Sequence, residues 1–232
     1  NSGFVIDLPH NFSQEQPEHD LRQIRVNRMA IAWLAELVER HQIRCQWSHR
    51  GKVHVAATRQ GRKNLEVMAQ RLTGLGEANE HWDKARLTAY LGTDYFDYGL
   101  FTPGCILMQP AALVTGLARS LPGNVEIYEE SAVTGFEDGA TKTLETAGGK
   151  VTTSQVILAT NGWTPAFGFL ERQLLTMHTF ASLTRPLTTA EQAALGGEGD
   201  WGTIPSTLGG TTMRYTRDHR LLIRRSLRYR PD

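Results

Sequence analysis

Apolar residues recur at helical spacing early in the chain. Leu21, Ile24, Ile31, Leu34, Leu37 and Val38 form one stripe, and the spacing predicts a helix over residues 20–41. Leu65, Met68, Leu72 and Leu75 share a face over residues 63–75, where Gly74 and Gly76 supply the stop. Shorter runs predict strands at 43–47 and 52–57, joined through Arg50-Gly51. A helical piece at 82–90 leads into the aromatic-rich stretch 95–101, which reads as extended.

Pro110 suits the first turn of a helix over 111–121, with Leu113, Val114, Leu117, Ala118 and Leu121 on its inner face. Pro122-Gly123-Asn124 ends it, and a strand is expected to begin at 125–128. Short extended pieces at 133–137, 142–146 and 151–154 are separated by Asp138-Gly139 and Gly148-Gly149, a hairpin signal repeated. Next, Val156-Ile157-Leu158-Ala159 is uninterrupted apolar sequence that turns polar at Thr160-Asn161-Gly162. Such a run reads as a strand buried on both faces of a parallel sheet, and ligands of parallel sheets sit beyond the carboxyl ends of the strands. Extended runs at 174–184 and 213–225 flank a helical stretch at 189–195 and a glycine-rich loop.

Composition narrows the class. The 232 residues are 40% hydrophobic and 21% charged, enough for one large domain or two small ones. A net charge of +1 gives the whole molecule no pull toward nucleic acid or a membrane surface. Cys45 and Cys105 make neither a disulfide framework nor a zinc site, so a reducing cytoplasm is the expected location. No apolar stretch approaches the roughly 18 residues of a membrane span. No signal peptide is visible, and the chain starts at Asn1-Ser2-Gly3-Phe4 without Met, so a piece of a longer polypeptide is expected.

Candidate chemistry is sparse. Gly197-Glu198-Gly199-Asp200-Trp201-Gly202 spells a dinucleotide fingerprint, but it follows a helical stretch and precedes Thr203-Ile204-Pro205, a poor helix start. It reads as a flexible surface loop. His49 and His54 are the closest histidine pair and lack partners at metal-ligand spacing, so no metal is expected and most histidines read as solvated. His10 sits in a tight polar turn after Gly3-Phe4-Val5-Ile6. No nucleophile elbow occurs, and Asp83 and Glu129-Glu130 read as solvated acids. The basic run from Met213 to Arg225 admits three readings: a nucleic-acid patch, a hairpin turning at Arg217-Asp218-His219, or an inward arginine that holds a substrate carboxylate. Near-zero net charge weighs against the first.

Taken in order, these segments resemble the FAD-dependent amine and amino-acid oxidoreductases of the D-amino-acid oxidase superfamily, in the branch of glycine oxidase-like and gamma-glutamylputrescine oxidoreductase-like enzymes. Asn1-Ser2-Gly3-Phe4 is similar to the end of the small-residue stretch that passes the flavin. The segment from Cys105 to Leu121, the strand from Val125 to Val133 and Val156-Ile157-Leu158-Ala159-Thr160-Asn161-Gly162 resemble successive family segments, as do Thr184-Arg185-Pro186-Leu187 and the run from Arg214 to Ile223. The resemblance implies an α+β fold: an antiparallel-sheet substrate domain with helices, plus a partial Rossmann-like FAD-binding domain carrying a three-stranded meander. Domain parts are expected at 1–104 (substrate), 105–170 (FAD) and 171–232 (substrate). The resemblance implies FAD contacts at Asn1, Ser2, Gly3, Phe4, Val133, Ala159, Thr160, Asn161 and Gly162, and a substrate carboxylate held by Arg214 or Arg217. It implies oxidation of a C–N bond of an amine or amino acid, with hydride passing to the flavin and an imine leaving, and no side-chain nucleophile. The phosphate-binding strand, turn and helix of the family are absent from this sequence. The chain alone is therefore expected to bind little FAD and to be inactive without the missing N- and C-terminal segments. The alternatives are a non-catalytic module that uses the basic hairpin, and a dehydrogenase that passes electrons to a quinone.

Overall fold

The computed structural model describes residues 2–9, 12, 16–196, 199–207 and 209–229. Asn1, His10, Gly197 and Glu198 lie outside the described residues. In chain order the elements are β1 (Phe4–Val5), α1 (Pro17–Arg40), β2 (Lys52–Ala56), α2 (Arg59–Gly74), β3 (Glu80–Asp83), α3 (Lys84–Leu91), β4 (Tyr98–Thr102), β5 (Ile106–Leu107) and α4 (Pro110–Arg119). Then come β6 (Val133–Asp138), β7 (Lys142–Thr146), β8 (Gly149–Thr153), a 3-10 helix (Asn161–Phe167), β9 (Met177–Leu183), α5 (Thr189–Ala194), β10 (Trp201–Pro205), β11 (Thr212–Tyr215) and β12 (Leu221–Tyr229).

Each helix start has a local cause. Pro17 opens α1 where its missing N–H costs nothing, with Glu18 and Asp20 in the first turn and Arg40 in the last, matching the helix dipole. The Thr58 hydroxyl accepts from the Gly61 amide at 3.1 Å to cap α2. Asp83 does the same for α3, accepting from the Arg86 amide at 2.8 Å, so this acid is a cap. Thr188 and Glu191 form a reciprocal capping box on α5.

The chain forms two compact units. The larger holds the residues up to Ser120 together with Thr179–Leu227. Its seven-stranded sheet has the order β3-β4-β2-β10-β11-β12-β9. Among the pairs with a described register, β2–β10 is parallel and the others are antiparallel. One face of the sheet packs Val53, Val55, Trp201 and Tyr215 against Trp82, Leu87 and Leu91. On the other side Ala56, Tyr98 and Leu100 meet Leu8, Ile24, Leu65 and Leu72 from the first loop, α1 and α2. The smaller unit is built on Leu121–His178. It carries the expected meander, β6-β7-β8, with Leu144 opposite both Phe136 and Val151.

The mixed fold with a meander agrees with the sequence reading, and four local expectations are corrected. Residues 43–47 form no strand; the chain there contributes one isolated bridge, Ser48 to Leu107. Trp82 belongs to β3, opposite Gly99, so the helix starts only at Lys84. Residues 125–128 and 156–159 are not strands. No described strand pairs with either, and Val125, Ile127 and Ile157 are exposed, Ile157 to 92%. Lastly, Trp201-Gly202 is not a surface loop but the start of β10, with Trp201 only 2% exposed. Its parallel partner β2 lies about 150 residues earlier in the register Thr203↔Val53, a pairing that local pattern does not reveal.

Candidate active site

Strand β2 reads Lys52-Val53-His54-Val55-Ala56, and all five residues are buried. Strand pleating sends alternate side chains to opposite faces. Val53 and Val55 enter the aromatic core, so Lys52 and His54 fall on the other face. Register carries that face across the sheet. Ile204 of β10 lies beside His54. Thr212 of β11 is one step beyond the Met213↔Thr203 pair, next to Ile204, and Arg224 of β12 pairs with Thr212. His54, Ile204, Thr212 and Arg224 thus form one row across four neighbouring strands.

A cavity of about 590 Å³ stands over this row. Leu65 and Met68 of α2 and Ile6, Leu8 and Pro9 of the first loop wall it, and Arg225 lies on its rim. Inside, Arg224 donates through Nη2 to the Thr212 hydroxyl at 3.1 Å. Lys52 is 2% exposed and donates from Nζ to the Thr102 hydroxyl at 3.1 Å. Burial pushes the Lys52 pKa below its ordinary value, against the pull of Cys105 and Asp7. Burial likewise pushes the Cys105 thiol up to about 12, which keeps it protonated and unreactive. His54 is buried, which corrects its reading as a solvated histidine; His49 is exposed as expected.

The residues expected to contact cofactor fall in both units. Ser2 and Gly3 are buried in the larger one, and Phe4 pairs with Leu107 as β1 meets β5. Val133 opens β6 in the smaller unit. Ala159, Thr160, Asn161 and Gly162 also lie there, leading into the 3-10 helix. Asn161 holds a left-handed backbone at φ 51°, and the Thr160 and Thr164 hydroxyls are 2.9 Å apart. The turn is polar and largely exposed, and a Cβ at Gly162 would meet only the Thr176 hydroxyl, at 4.0 Å, so a ligand could approach its backbone. The described part of the fingerprint, 199–202, does not fit a diphosphate. Asp200 is 3% exposed and accepts from Ser48 Oγ at 3.1 Å and Arg50 Nε at 3.3 Å, and a Cβ on Gly202 would overlap the Phe4 ring.

Neither arginine put forward for substrate lines the cavity. Arg214 is buried, and its Nη1 donates to the carbonyls of Ser2 and Gly3, each at 3.2 Å, and of Met108. Arg217 is half-exposed and reaches Ser48 Oγ at 3.2 Å and Asp200 at 3.6 Å. The basic residues on the cavity face are Lys52, His54 and Arg224, which the sequence reading missed. The polar–apolar alternation of Lys52-Val53-His54-Val55 was the available signal, since polar side chains at every second place of a buried strand mark one face. Among the described residues, no group of three or more His, Cys, Asp or Glu could hold a metal ion, and no helix is long and apolar enough to cross a membrane.

This architecture recurs among solved structures. Glycine oxidase from Geobacillus kaustophilus matches with a TM-score of 0.75 at 20% identity, covering 99% of this chain and 61% of that one. L-amino acid deaminase from Proteus vulgaris matches at 0.65 and 17% identity, over 97% of this chain and 51% of that one. A curated relative, the probable oxidoreductase OrdL of Haemophilus influenzae, is 27% identical over 200 residues, which are 82% of this chain and 46% of the relative. The chain thus spans about half the length of the curated relative. The model of the FAD dependent oxidoreductase family, DAO, matches residues 1–232, and the chain belongs to that family.

Proposed function

We propose that the protein containing these residues oxidises the C–N bond of an amine or amino acid. The observation that carries the reading is the polar row His54–Ile204–Thr212–Arg224 under a cavity, in a chain of an FAD-dependent family. A bound flavin would supply the acceptor for the hydride lost from the carbon that bears the nitrogen, while a proton leaves the nitrogen and the imine product is released to water. The chain's own residues do three things. Arg224 of the row, with Lys52 beside it, orients an anionic group of the substrate, while Leu65 and Met68 exclude water above it. The turn Thr160-Asn161-Gly162 contacts the cofactor through its exposed backbone and small side chains. Arg214 holds Ser2 and Gly3 in place rather than binding substrate directly.

The exposed apolar runs at 125–128 and 156–159 support a further part of this reading. Val125, Ile127 and Ile157 have no covering partner among the described residues, so other segments of the polypeptide complete the cofactor unit. The 232 residues alone bind FAD weakly and turn nothing over. The experiment is expression of the full-length protein, flavin quantitation from absorbance, and a screen of amines and amino acids for peroxide in air and for dye reduction without oxygen. Flavin near one per chain with amine-dependent turnover supports the proposal, and peroxide against dye reduction separates an oxidase from a quinone-linked dehydrogenase. A full-length protein without flavin, or the 232-residue chain purifying yellow with stoichiometric flavin, refutes it. A binding module that uses the basic hairpin is the weaker reading: Arg217, Arg220 and Arg224 make internal bonds to Ser48, Thr184 and Thr212.

A further inference from the structure

We infer that the cavity selects an amino compound carrying two carboxylates on a short apolar spacer; this rests on the amino-compound activity proposed above. The first ground is charge. Lys52, His54 and Arg224 stand on the cavity face, and among the described residues no aspartate or glutamate lines it. A diamine or a simple amine brings positive charge to a basic wall and meets no counter-ion there. Asp7, whose charge reaches Lys52, stands outside the lining, is 2% exposed, and is ion-paired to Arg28 at 3.1 Å.

The second ground is spacing. The row from His54 to Arg224 crosses four strands, so at ~4.8 Å per strand its ends are roughly 14 Å apart. Arg224 leans back over Thr212, leaving roughly 10 Å, about two strand spacings, between the two basic groups. Ile204 occupies the middle of that interval. A ligand with one carboxylate on the Arg224 fork and the Thr212 hydroxyl would lay its methylenes over Ile204. Its second carboxylate would then approach His54 and Lys52. Guanidinium suits the first end because its paired N–H groups match carboxylate geometry. Lys52 suits the second because an incoming anion compensates a charge held out of water.

The test uses the flavin-loaded full-length protein. Calorimetric titration with succinate and glutarate is compared with acetate and putrescine, alongside kcat/KM for aspartate and glutamate against glycine and putrescine. The diacids are expected to bind at least tenfold tighter than acetate, and the acidic amino acids to lead in kcat/KM by a similar factor. Arg224→Gln should weaken diacid binding about tenfold and act mainly on KM, and Arg224→Lys should restore part of the loss. Lys63→Gln, a change outside the cavity, should leave both unchanged. Melting curves identify any variant that fails to fold, and the wild-type comparison of diacid with acetate stands without the variants. Diacids binding no tighter than acetate, or putrescine turning over best, overturns the inference. Turnover of neutral amino acids with indifference to diacids sinks this substrate class and leaves the proposed activity standing. Tight diacid binding with no oxidation of any amino compound does the reverse.

Discussion

Gly3 gives the sharpest test of how the larger unit is held together. Its φ is 84°, in the left-handed region, and a Cβ there would overlap Nη1 of Arg214 and the carbonyl oxygen of Met108. Gly3→Ala therefore carries two costs. The backbone term is about 1–2 kcal/mol. The second is displacement of a buried guanidinium from three carbonyls, where charge-assisted bonds contribute about 1.5–3 kcal/mol each and part of that loss is recovered by relaxation. A total near 3–5 kcal/mol follows. Gly76 isolates the first term: φ is 74° and nothing lies within 4 Å of its added Cβ, so Gly76→Ala should cost about 1 kcal/mol. Gly74, inside α2 with open space around it, should tolerate alanine with a gain of about 0.5–1 kcal/mol. Urea unfolding of the three variants measures the series. In an Arg214→Ala background the Gly3→Ala cost should fall but stay above that of Gly76→Ala, because the guanidinium is gone while the overlap with the Met108 carbonyl remains. If Gly3→Ala costs no more than Gly76→Ala in the wild type, the clamp is not what stabilises this corner.

Three further outcomes are expected. Asp200→Asn removes a buried carboxylate that joins Ser48, Arg50 and Arg217, and should cost about 2 kcal/mol in urea unfolding, below the range for fully buried pairs because both arginines are partly exposed. The Arg185 and Thr188 bonds hold the Glu191 carboxyl at about 2, so the α5 cap is intact above the ordinary value of 4.5 and is lost as pH falls toward 2. Protection of the Glu191 amide, relative to its intrinsic exchange rate at each pH, should fall over that window, and Glu191→Gln should remove the pH dependence. Lys52 has the opposite sign: burial lowers its folded pKa, so its penalty is full below that value and fades as pH rises toward 10.5. The stability of the wild type relative to Lys52→Met should accordingly improve with pH in the alkaline range, read from urea midpoints.

Local signals made much of the fold legible. The turns Asp138-Gly139 and Gly148-Gly149 announced the meander, because a hairpin needs only its own residues. Leu65, Leu72 and Gly76 marked α2 and its end in the same way. Pairings between distant residues were not legible. Trp201-Gly202 looked like loop because glycine spacing says nothing about a partner strand at Val53. Val156–Ala159 looked like a buried strand, and its apolar run is real; burial, however, depends on what packs against it, which composition does not encode. At the site the sequence put forward Arg214 and Arg217; the fold sets Arg214 on backbone carbonyls, Arg217 on a second cavity of about 550 Å³, and Arg224 on the cavity above β2. Arg214 and Arg224 point to the same face of adjacent strands, two pleats from each other in the register, and only the sheet reveals that the second opens into a cavity.

The clamp of Arg214 on Ser2 and Gly3 also constrains how the polypeptide comes to be folded. It joins residues 212 apart, and β2 waits about 150 residues for β10. During synthesis Ser2, Gly3 and one edge of β2 must persist without their final neighbours until most of the segment has left the ribosome. Contacts of such long range are slow to close, and an uncovered strand edge is where nascent chains associate wrongly. Truncation before residue 201 should therefore leave the early helices in place and the centre of the sheet unmade.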